Sequence, residues 1–140
     1  MAAHFTAFTP ATGLPITLYD VPLRTGVGLA DETLAGLAEL LVVTGLKDDT
    51  GDINRVPRSR SRLRDDFRLM SGDEAMALAF IAGGNGCISV TSNVAPGLCR
   101  NIFLMGRHGH IANARRWEAP LAKLTVALFA GSILLCSNTH

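Results

Sequence analysis

The chain lacks long apolar runs, a secretion signal and any excess of charge, and each absence excludes a class of protein. None of its apolar runs approaches the ~20 uninterrupted residues that a membrane-spanning helix needs. Its first residues lack the basic region and apolar core of a signal peptide. A formal net charge of +1 creates no overall field that would attract nucleic acid or an anionic membrane. We therefore expect a cytoplasmic protein with neither a nucleic-acid nor a membrane partner.

Cysteine is also scarce, and its pattern predicts neither disulfides nor a zinc site. Cys87, Cys99 and Cys136 are odd in number, widely spaced and outside any CxxC pattern. They are typical of small buried apolar residues. His108 and His110 flank a glycine, and two such side chains in a loop indicate a turn more often than a metal centre. We therefore predict no metal site.

Apolar residues are plentiful, at 48% of the chain against 18% charged, which is typical of a single domain with a large core. Short β-rich runs alternate with segments that have helical spacing. We predict strands at 15–21, 41–46, 67–70 and 87–91, and helices at 31–41, 57–63, 75–82, 98–105 and 111–128. We also predict that Pro120 starts a last helix, and that residues 1–14 form a loop after at most a short helix. The alternation predicts a parallel α/β fold.

A single lysine stands at the end of the apolar run 41–46, directly before an acidic turn. In parallel α/β folds, ligands gather at the carboxyl ends of strands because the loops converge there. Lys47 at such an end can lose hydration, which lowers the pKa of its amine and makes it a nucleophile able to form a Schiff base. The alternative is an ordinary strand-end lysine pointing into solvent, which is the commoner situation for lysines.

The segment that follows the lysine turn is rich in arginine. Its basic residues are Arg55, Arg58, Arg60, Arg62 and Arg64. A nucleic-acid patch is one interpretation, but no aromatic residue is interleaved for base stacking, and Asp65 and Asp66 follow at once. We therefore predict a solvated helix face.

Four motifs, in order and at compatible spacings, resemble the dihydrodipicolinate synthase family. They are YDVPLRTG at 19–26, GLKDDTGD at 45–52, LMSGDEA at 69–75 and GCISVTSNVAP at 86–96. The family comprises Schiff-base aldolases on a (β/α)8 barrel. The resemblance implies an α/β chain forming a partial barrel, strands five to eight with their helices, followed by C-terminal helices. It extends over residues 1–129, and we expect residues 130–140 to be a divergent tail.

The resemblance also implies site residues. Lys47 matches the lysine that forms a Schiff base with pyruvate, and Tyr19 matches the tyrosine that relays protons. Arg24 looks like the arginine that holds the carboxylate of the aldehyde substrate. Ile88 matches a pyruvate-contacting position, and Gly72 lies where the chain passes close to the pocket. Without the motifs, Tyr19 would be interpreted as a core aromatic and Arg24 as part of a loop salt bridge.

The function implied by the resemblance is condensation of pyruvate with aspartate semialdehyde, a step in lysine and diaminopimelate biosynthesis, by a homo-oligomer. It implies no cofactor beyond the covalent Schiff base with pyruvate on Lys47. The family's glycine- and threonine-rich region that binds the pyruvate carboxylate has no counterpart in these 140 residues. Two alternatives therefore stay open: a half-barrel without turnover, and a sister aldolase acting on sugar acids, against which Arg24 argues. A half-barrel would also expose open sheet edges, so we expect it to self-associate or to fold only marginally.

Overall fold

The computed structural model describes residues 2–72 and 83–137. Four strands run through it: β1 (Ile16–Asp20), β2 (Val43–Asp48), β3 (Arg68–Ser71) and β4 (Gly86–Cys87). The helices are α1 (Ala2–Thr12), α2 (Pro22–Thr25), α3 (Asp31–Ala38), α4 (Arg55–Arg60), α5 (Pro96–Arg107) and α6 (Ile111–Ser137). A 3-10 turn, Thr91–Asn93, follows β4. The helix predicted at 75–82 lies outside the described residues.

The four strands form one parallel sheet in the order β1-β2-β3-β4, so that each strand lies beside the next one along the chain. This is the arrangement that the alternating strand and helix patterns predict. All four strands point the same way, so their carboxyl ends share one edge of the sheet. The loops that carry the predicted site residues therefore converge at that edge.

One face of the sheet is packed against helices and forms the main core. Leu18, Leu46 and Leu69 from three neighbouring strands are at most 3% exposed and pack with Leu34 and Leu37 of α3. Burial alternates along β1, because Leu18 and Asp20 are buried whereas Thr17 and Tyr19 are exposed. This alternation follows the two-residue period of a strand and separates the helix-facing side from the opposite side.

A second, smaller core joins the two long helices. Ile102 of α5 packs with Ala114 and Leu121 of α6, and all three side chains are at most 2% exposed. Cys87 and Cys99 are partly buried against this cluster, as expected of small apolar side chains. Neither forms a disulfide. No helix in the described parts of the chain is long and apolar enough to cross a membrane.

Two predictions about helices are wrong. Residues 2–12 form the helix α1, whereas we expected mainly a loop. Phe5 packs against the main core and α1 contacts α3, so tertiary packing stabilises a segment whose own pattern is weak. Helix α6 runs without a break through Pro120, which does not start a new helix. Burial of Leu121 and Ala114 against α5 offsets the hydrogen bond that proline removes.

The fourth strand is shorter than predicted, because it ends at Cys87 and not at Thr91. The serines that follow bond locally instead of joining the sheet. The amide of Ser92 donates to Oγ of Ser89 at 3.1 Å, and its hydroxyl donates to the Ser89 carbonyl at 2.7 Å. Side-chain bonds of this kind compete with strand pairing and favour a turn. The helix predicted to start at Pro57 begins two residues earlier, at Arg55.

Candidate active site

The two residues with the strongest predicted roles lie side by side on adjacent strands. Tyr19 of β1 and Lys47 of β2 are direct partners in the parallel register. The Nζ atom of Lys47 lies 4.1 Å from the centroid of the Tyr19 ring. Lys47 is half-buried and Tyr19 is 45% exposed, so the pair faces an accessible surface. This position excludes the interpretation of Tyr19 as a buried core aromatic.

The Tyr19 hydroxyl is held by a carboxylate that we did not single out from the sequence. Its oxygen donates a hydrogen bond of 2.8 Å to Oδ2 of Asp49. The pKa of Tyr19 is raised above its ordinary value, chiefly by burial and then by the hydrogen bond and negative charge of Asp49. Arg24 opposes this shift, because a nearby positive charge favours the phenolate. The phenol is therefore coupled to charges on both neighbouring loops.

Gly72 leaves room for the Asp49 carboxylate. A Cβ atom at position 72 would lie 2.7 Å from Cγ of Asp49 and 2.9 Å from each carboxylate oxygen, distances that real Cβ atoms do not show. The amide of Gly72 donates to the Asp48 carbonyl at 2.7 Å, which fixes the backbone there. Gly72 therefore passes close to Asp49, and the group that it accommodates is a carboxylate.

Arg24 lies in the last turn of α2 and borders a cleft that Asp49 also lines. The cleft has a volume of about 260 Å³. Its described lining residues are Val21, Leu23, Arg24, Asp49, Gly72 and Phe129. Arg24 forms no ion pair with any other residue in the ranges 2–72 and 83–137, which counts against the loop salt bridge as its role. Its guanidinium is exposed at the mouth of the cleft.

Ile88 lies at the carboxyl end of β4, one strand away from Gly72. Its amide donates to the carbonyl of Ser71 at 2.8 Å, and its side chain is 44% exposed. It shares the carboxyl edge of the sheet with the other predicted residues but is not among the described residues that line the cleft. The structure thus places Tyr19 beside Lys47 and Gly72 against Asp49, with Arg24 and Gly72 lining the cleft and Ile88 on the next strand along the same edge.

The opposite face of the same strand ends carries a buried ion-pair network. Nη1 of Arg55 lies 2.6 Å from Oδ2 of Asp20 and 3.7 Å from Oδ1 of Asp48, and all three residues are at most 4% exposed. The other terminal nitrogen of Arg55 donates to the carbonyl of Leu29 at 2.7 Å. Its Nε lies 3.4 Å from Oδ1 of Asp31. The prediction of a solvated face is therefore wrong for Arg55.

The reason for this error is that arginine content alone does not reveal burial. Arg55 is the first residue of a short helix, and its side chain is directed beneath the sheet edge toward two aspartates on neighbouring strands. The neighbouring Arg58 does lie at the surface, 48% exposed, where it bonds Asp31 and Asp52. Asp20 and Asp48 each directly follow a predicted site residue, so the two-residue period of a strand places them on the opposite face. This alternation was the sequence signal that acids lie on the face to which Arg55 is directed.

Asp49 also had a signal in the sequence. It stands two residues after Lys47, and residues two apart in an extended segment lie on the same side. An acid at that position is therefore expected to face the lysine side of the sheet.

Groups of three or more histidine, cysteine or acidic side chains that could hold a metal do not occur in the described ranges.

Comparisons with known proteins agree on one family. The model of the dihydrodipicolinate synthetase family matches residues 1–138. A 4-hydroxy-tetrahydrodipicolinate synthase from Hyphomonas neptunium is 46% identical over 129 residues, which cover 90% of this chain and 44% of that protein. The chain thus spans less than half the length of the curated relatives it matches.

Solved structures give the same result. A dihydrodipicolinate synthase from Bacillus anthracis superposes with a TM-score of 0.86 at 30% identity, covering 91% of this chain and 44% of the other. The chloride-inhibited enzyme from Acinetobacter baumannii, solved in complex with pyruvate, superposes with a TM-score of 0.82 at 34% identity over 91% of this chain and 44% of the other. The predicted fold class, an α/β part of a (β/α)8 barrel, is confirmed.

Proposed function

Because the chain belongs to the dihydrodipicolinate synthetase family, we propose that it carries the lysine side of a pyruvate-condensing active site. The observation that supports this proposal most is the in-register pair of Tyr19 and Lys47, with the amine 4.1 Å from the ring centroid. A Schiff-base reaction needs an amine and a nearby group that moves protons. These two side chains supply both at the edge where loops converge.

In the proposed reaction, the Lys47 amine adds to the ketone carbon of pyruvate and forms a carbinolamine. Loss of water from that adduct gives the Schiff base, which is the covalent link that makes a separate cofactor unnecessary. Tyr19 carries protons to and from the departing hydroxyl group. Gly72 and Ile88, at the ends of the next two strands, are proposed to border the pyruvate.

The second substrate in this proposal is aspartate semialdehyde, and the product enters lysine and diaminopimelate biosynthesis. Arg24 is proposed to bind the carboxylate of that aldehyde. It is exposed at the mouth of the cleft and forms no ion pair with another described residue, so its guanidinium is available for the two parallel hydrogen bonds that carboxylates accept.

We also propose that the working form is an assembly of this chain with further copies. Tyr19 and Lys47 face a side of the sheet that remains accessible, and several large apolar side chains are exposed. Among them Leu23 is 93% exposed and Leu41 is 81% exposed. Burying such surface is a common driving force for association. Sedimentation velocity on the purified chain tests this proposal, and a monodisperse monomer would contradict it.

Borohydride trapping with pyruvate, followed by intact mass and peptide mapping, tests the proposed chemistry. The chain has two lysines, Lys47 and the exposed Lys123, so each molecule contains its own control. We expect a reduced pyruvate adduct on Lys47 alone. The variant Lys47→Arg should show none, and Lys123→Arg should behave like the parent chain.

Absence of an adduct, in protein that circular dichroism shows to be folded, would contradict the proposal and favour the alternative of a half-barrel without turnover. If the adduct forms, condensation of pyruvate is measured with aspartate semialdehyde and, for the alternative of a sugar-acid aldolase, with an aldose as the second substrate. The variant Arg24→Gln should weaken the first reaction specifically, because the aldose offers no carboxylate.

A further inference from the structure

We propose that Asp49 is the positioning residue of Tyr19, which orients the phenol and accepts its proton during Schiff-base formation at Lys47. This inference rests on the proposed function, in which Tyr19 serves the lysine. It adds a residue to the site that comes from this chain's own lysine loop.

The backbone holds Asp49 in place beside Tyr19. Its amide donates to the carbonyl of Asp20 at 2.9 Å, and Asp20 is the residue that follows Tyr19 on β1. The loop after Lys47 is thereby tied to the end of the strand that carries the phenol. From this anchored position Oδ2 of Asp49 accepts the Tyr19 hydroxyl hydrogen bond at 2.8 Å. The contact therefore joins two anchored segments.

The surroundings of the carboxylate fit it closely. Gly72 offers no side chain at the point where a Cβ would come within 2.9 Å of both Asp49 oxygens. The backbone angle φ of Gly72 does not require glycine, so the requirement at this position is one of space. The loops that follow β2 and β3 thus cooperate to place one carboxylate against one phenol.

The hydrogen bond determines which way the phenol can act. A phenol has a single proton, and Tyr19 donates it to Asp49. Toward any other group its oxygen therefore offers only lone pairs. After the Lys47 amine adds to the ketone, the adduct carries an ammonium and an alkoxide. An ammonium proton binds the phenol oxygen as the phenol's own proton passes to the Asp49 carboxylate, and the reverse transfer gives a proton to the alkoxide, which completes the carbinolamine. A second cycle of the same two transfers moves the remaining nitrogen proton to the hydroxyl, which leaves as water and gives the Schiff base, so that Tyr19 and Asp49 end as they began.

Among the residues that the structure describes, the other charged groups that face Tyr19 are cations. Lys47 lies over the ring, and Arg24 acts on the phenol from the α2 side. Both favour the phenolate, whereas Asp49 favours the protonated phenol. Among the described charged groups that act on this phenol, Asp49 is therefore the only one whose removal is expected to make it more acidic.

The first test uses the fact that Tyr19 is the only tyrosine in the chain. A spectrophotometric titration of tyrosinate therefore reports this phenol alone. We expect the pKa of Tyr19 to be raised in the parent chain and to fall in Asp49→Asn, which removes the negative charge. The matched control is Asp66→Asn, an exposed acid paired with Arg64, which should titrate like the parent. Circular dichroism over the same pH range monitors folding.

A second variant displaces the carboxylate without removing its charge. Gly72→Ala places a methyl group where the Asp49 carboxylate now lies, so the side chain must move and the hydrogen bond is lost. We expect the pKa of Tyr19 to fall again. Gly36→Ala, in α3 with open space at the added methyl, is the control for adding a methyl group and should have no effect.

Each outcome decides the inference. The inference is supported if the pKa of Tyr19 falls in both Asp49→Asn and Gly72→Ala and in neither control. It is overturned if the pKa of Tyr19 is unchanged in Asp49→Asn, or if it falls equally in Asp66→Asn.

Borohydride trapping then separates this inference from the proposed function. If the parent chain traps pyruvate, trapping should be about 10-fold slower or more in Asp49→Asn, because a general acid–base contribution is reduced. If the parent chain traps none, the proposed function fails, and the titration still decides whether Asp49 controls the phenol. If trapping succeeds but the titration of Asp49→Asn is unchanged, only the role of Asp49 fails.

Discussion

Tyr19 and Asp20 are neighbours in the sequence, as are Lys47 and Asp48, yet within each pair the two residues lie on opposite faces of the sheet. Asp20 and Asp48 are 3% exposed and surround Arg55 beneath the strand ends. Tyr19 and Lys47 contact each other on the accessible side. The two-residue period of a strand separates them. One face thus holds the strand ends together, while the other carries the accessible side chains that we propose for chemistry, so substitutions on the two faces should have different consequences.

The largest effect on stability is expected from Arg55→Met. It removes the cation between two buried aspartates and leaves their charges uncompensated. Breaking a buried pair in this way costs about 3–5 kcal/mol in the free energy of unfolding. Urea unfolding followed by circular dichroism measures it. Arg58→Met, on the same helix but at the surface, is the matched control, and an equal loss in both variants would contradict the difference between the faces.

The next largest loss of stability is expected from truncating a core side chain on the helix-facing side of the sheet. Leu46→Ala empties a site that is 0% exposed and should lower the free energy of unfolding by about 2–5 kcal/mol. Leu23→Ala, at a position 93% exposed beside the cleft, should change it by about 0.5 kcal/mol or less. The same urea titration compares the two. Similar midpoints would show that Leu46 is not part of the cooperative core.

Tyr19→Phe should have a small effect on stability. It keeps the ring under Lys47 and removes only the hydroxyl bonded to Asp49. Loss of one hydrogen bond costs about 0.5–1.5 kcal/mol, and the exposure of Tyr19 places the expected loss at the lower end. Pyruvate trapping, if the parent chain supports it, should slow about 100-fold because the proposed proton carrier is gone. A stability loss like that of Arg55→Met would show that Tyr19 is structural.

The smallest effect is expected at the outer end of the buried network. The pKa of Asp31 is lowered, first by the hydrogen bond from Arg58, against the opposing effect of its own partial burial. A carboxyl with a lowered pKa in the folded state contributes stability above its ordinary pKa, and that contribution is lost as pH falls through the folded value. Arg58→Gln should therefore reduce stability at neutral pH, and the difference should shrink in acid. A difference independent of pH would contradict this.

The fold followed from local patterns wherever those patterns were strong. The apolar run before Lys47, the β-rich run that contains Tyr19 and the acidic start of α3 were each predicted within a few residues. Helix α1 and the unbroken α6 were not, because packing against neighbouring elements stabilises them more than their own sequences do. The division at residue 130 stays a prediction, and α6 continues across it.

The candidate site was predictable in part, because its motifs are also local patterns in the sequence. Motif resemblance indicated Lys47, Tyr19, Arg24 and Gly72, and the structure places these residues around one sheet edge. The motif resemblance gave no indication that the Tyr19 hydroxyl donates a hydrogen bond to Asp49. Nor did the motif resemblance distinguish Arg55, which is buried, from Arg58 and Arg62, which lie at the surface.

By itself, the sequence determined the order of strands and helices and the placement of a lysine and a tyrosine at strand ends, because periodicity and turn residues act over a few neighbours. Tertiary structure alone decided that Asp49 holds the phenol, that Gly72 leaves it room and that Arg55 is buried between two aspartates. The contacts of Gly72 with Asp49, of Asp49 with Tyr19 and of Arg55 with Asp20 join residues 23, 30 and 35 positions apart. Which of several similar acids or arginines meets a given partner depends on the register of the strands and the path of the loops, and no local pattern encodes either.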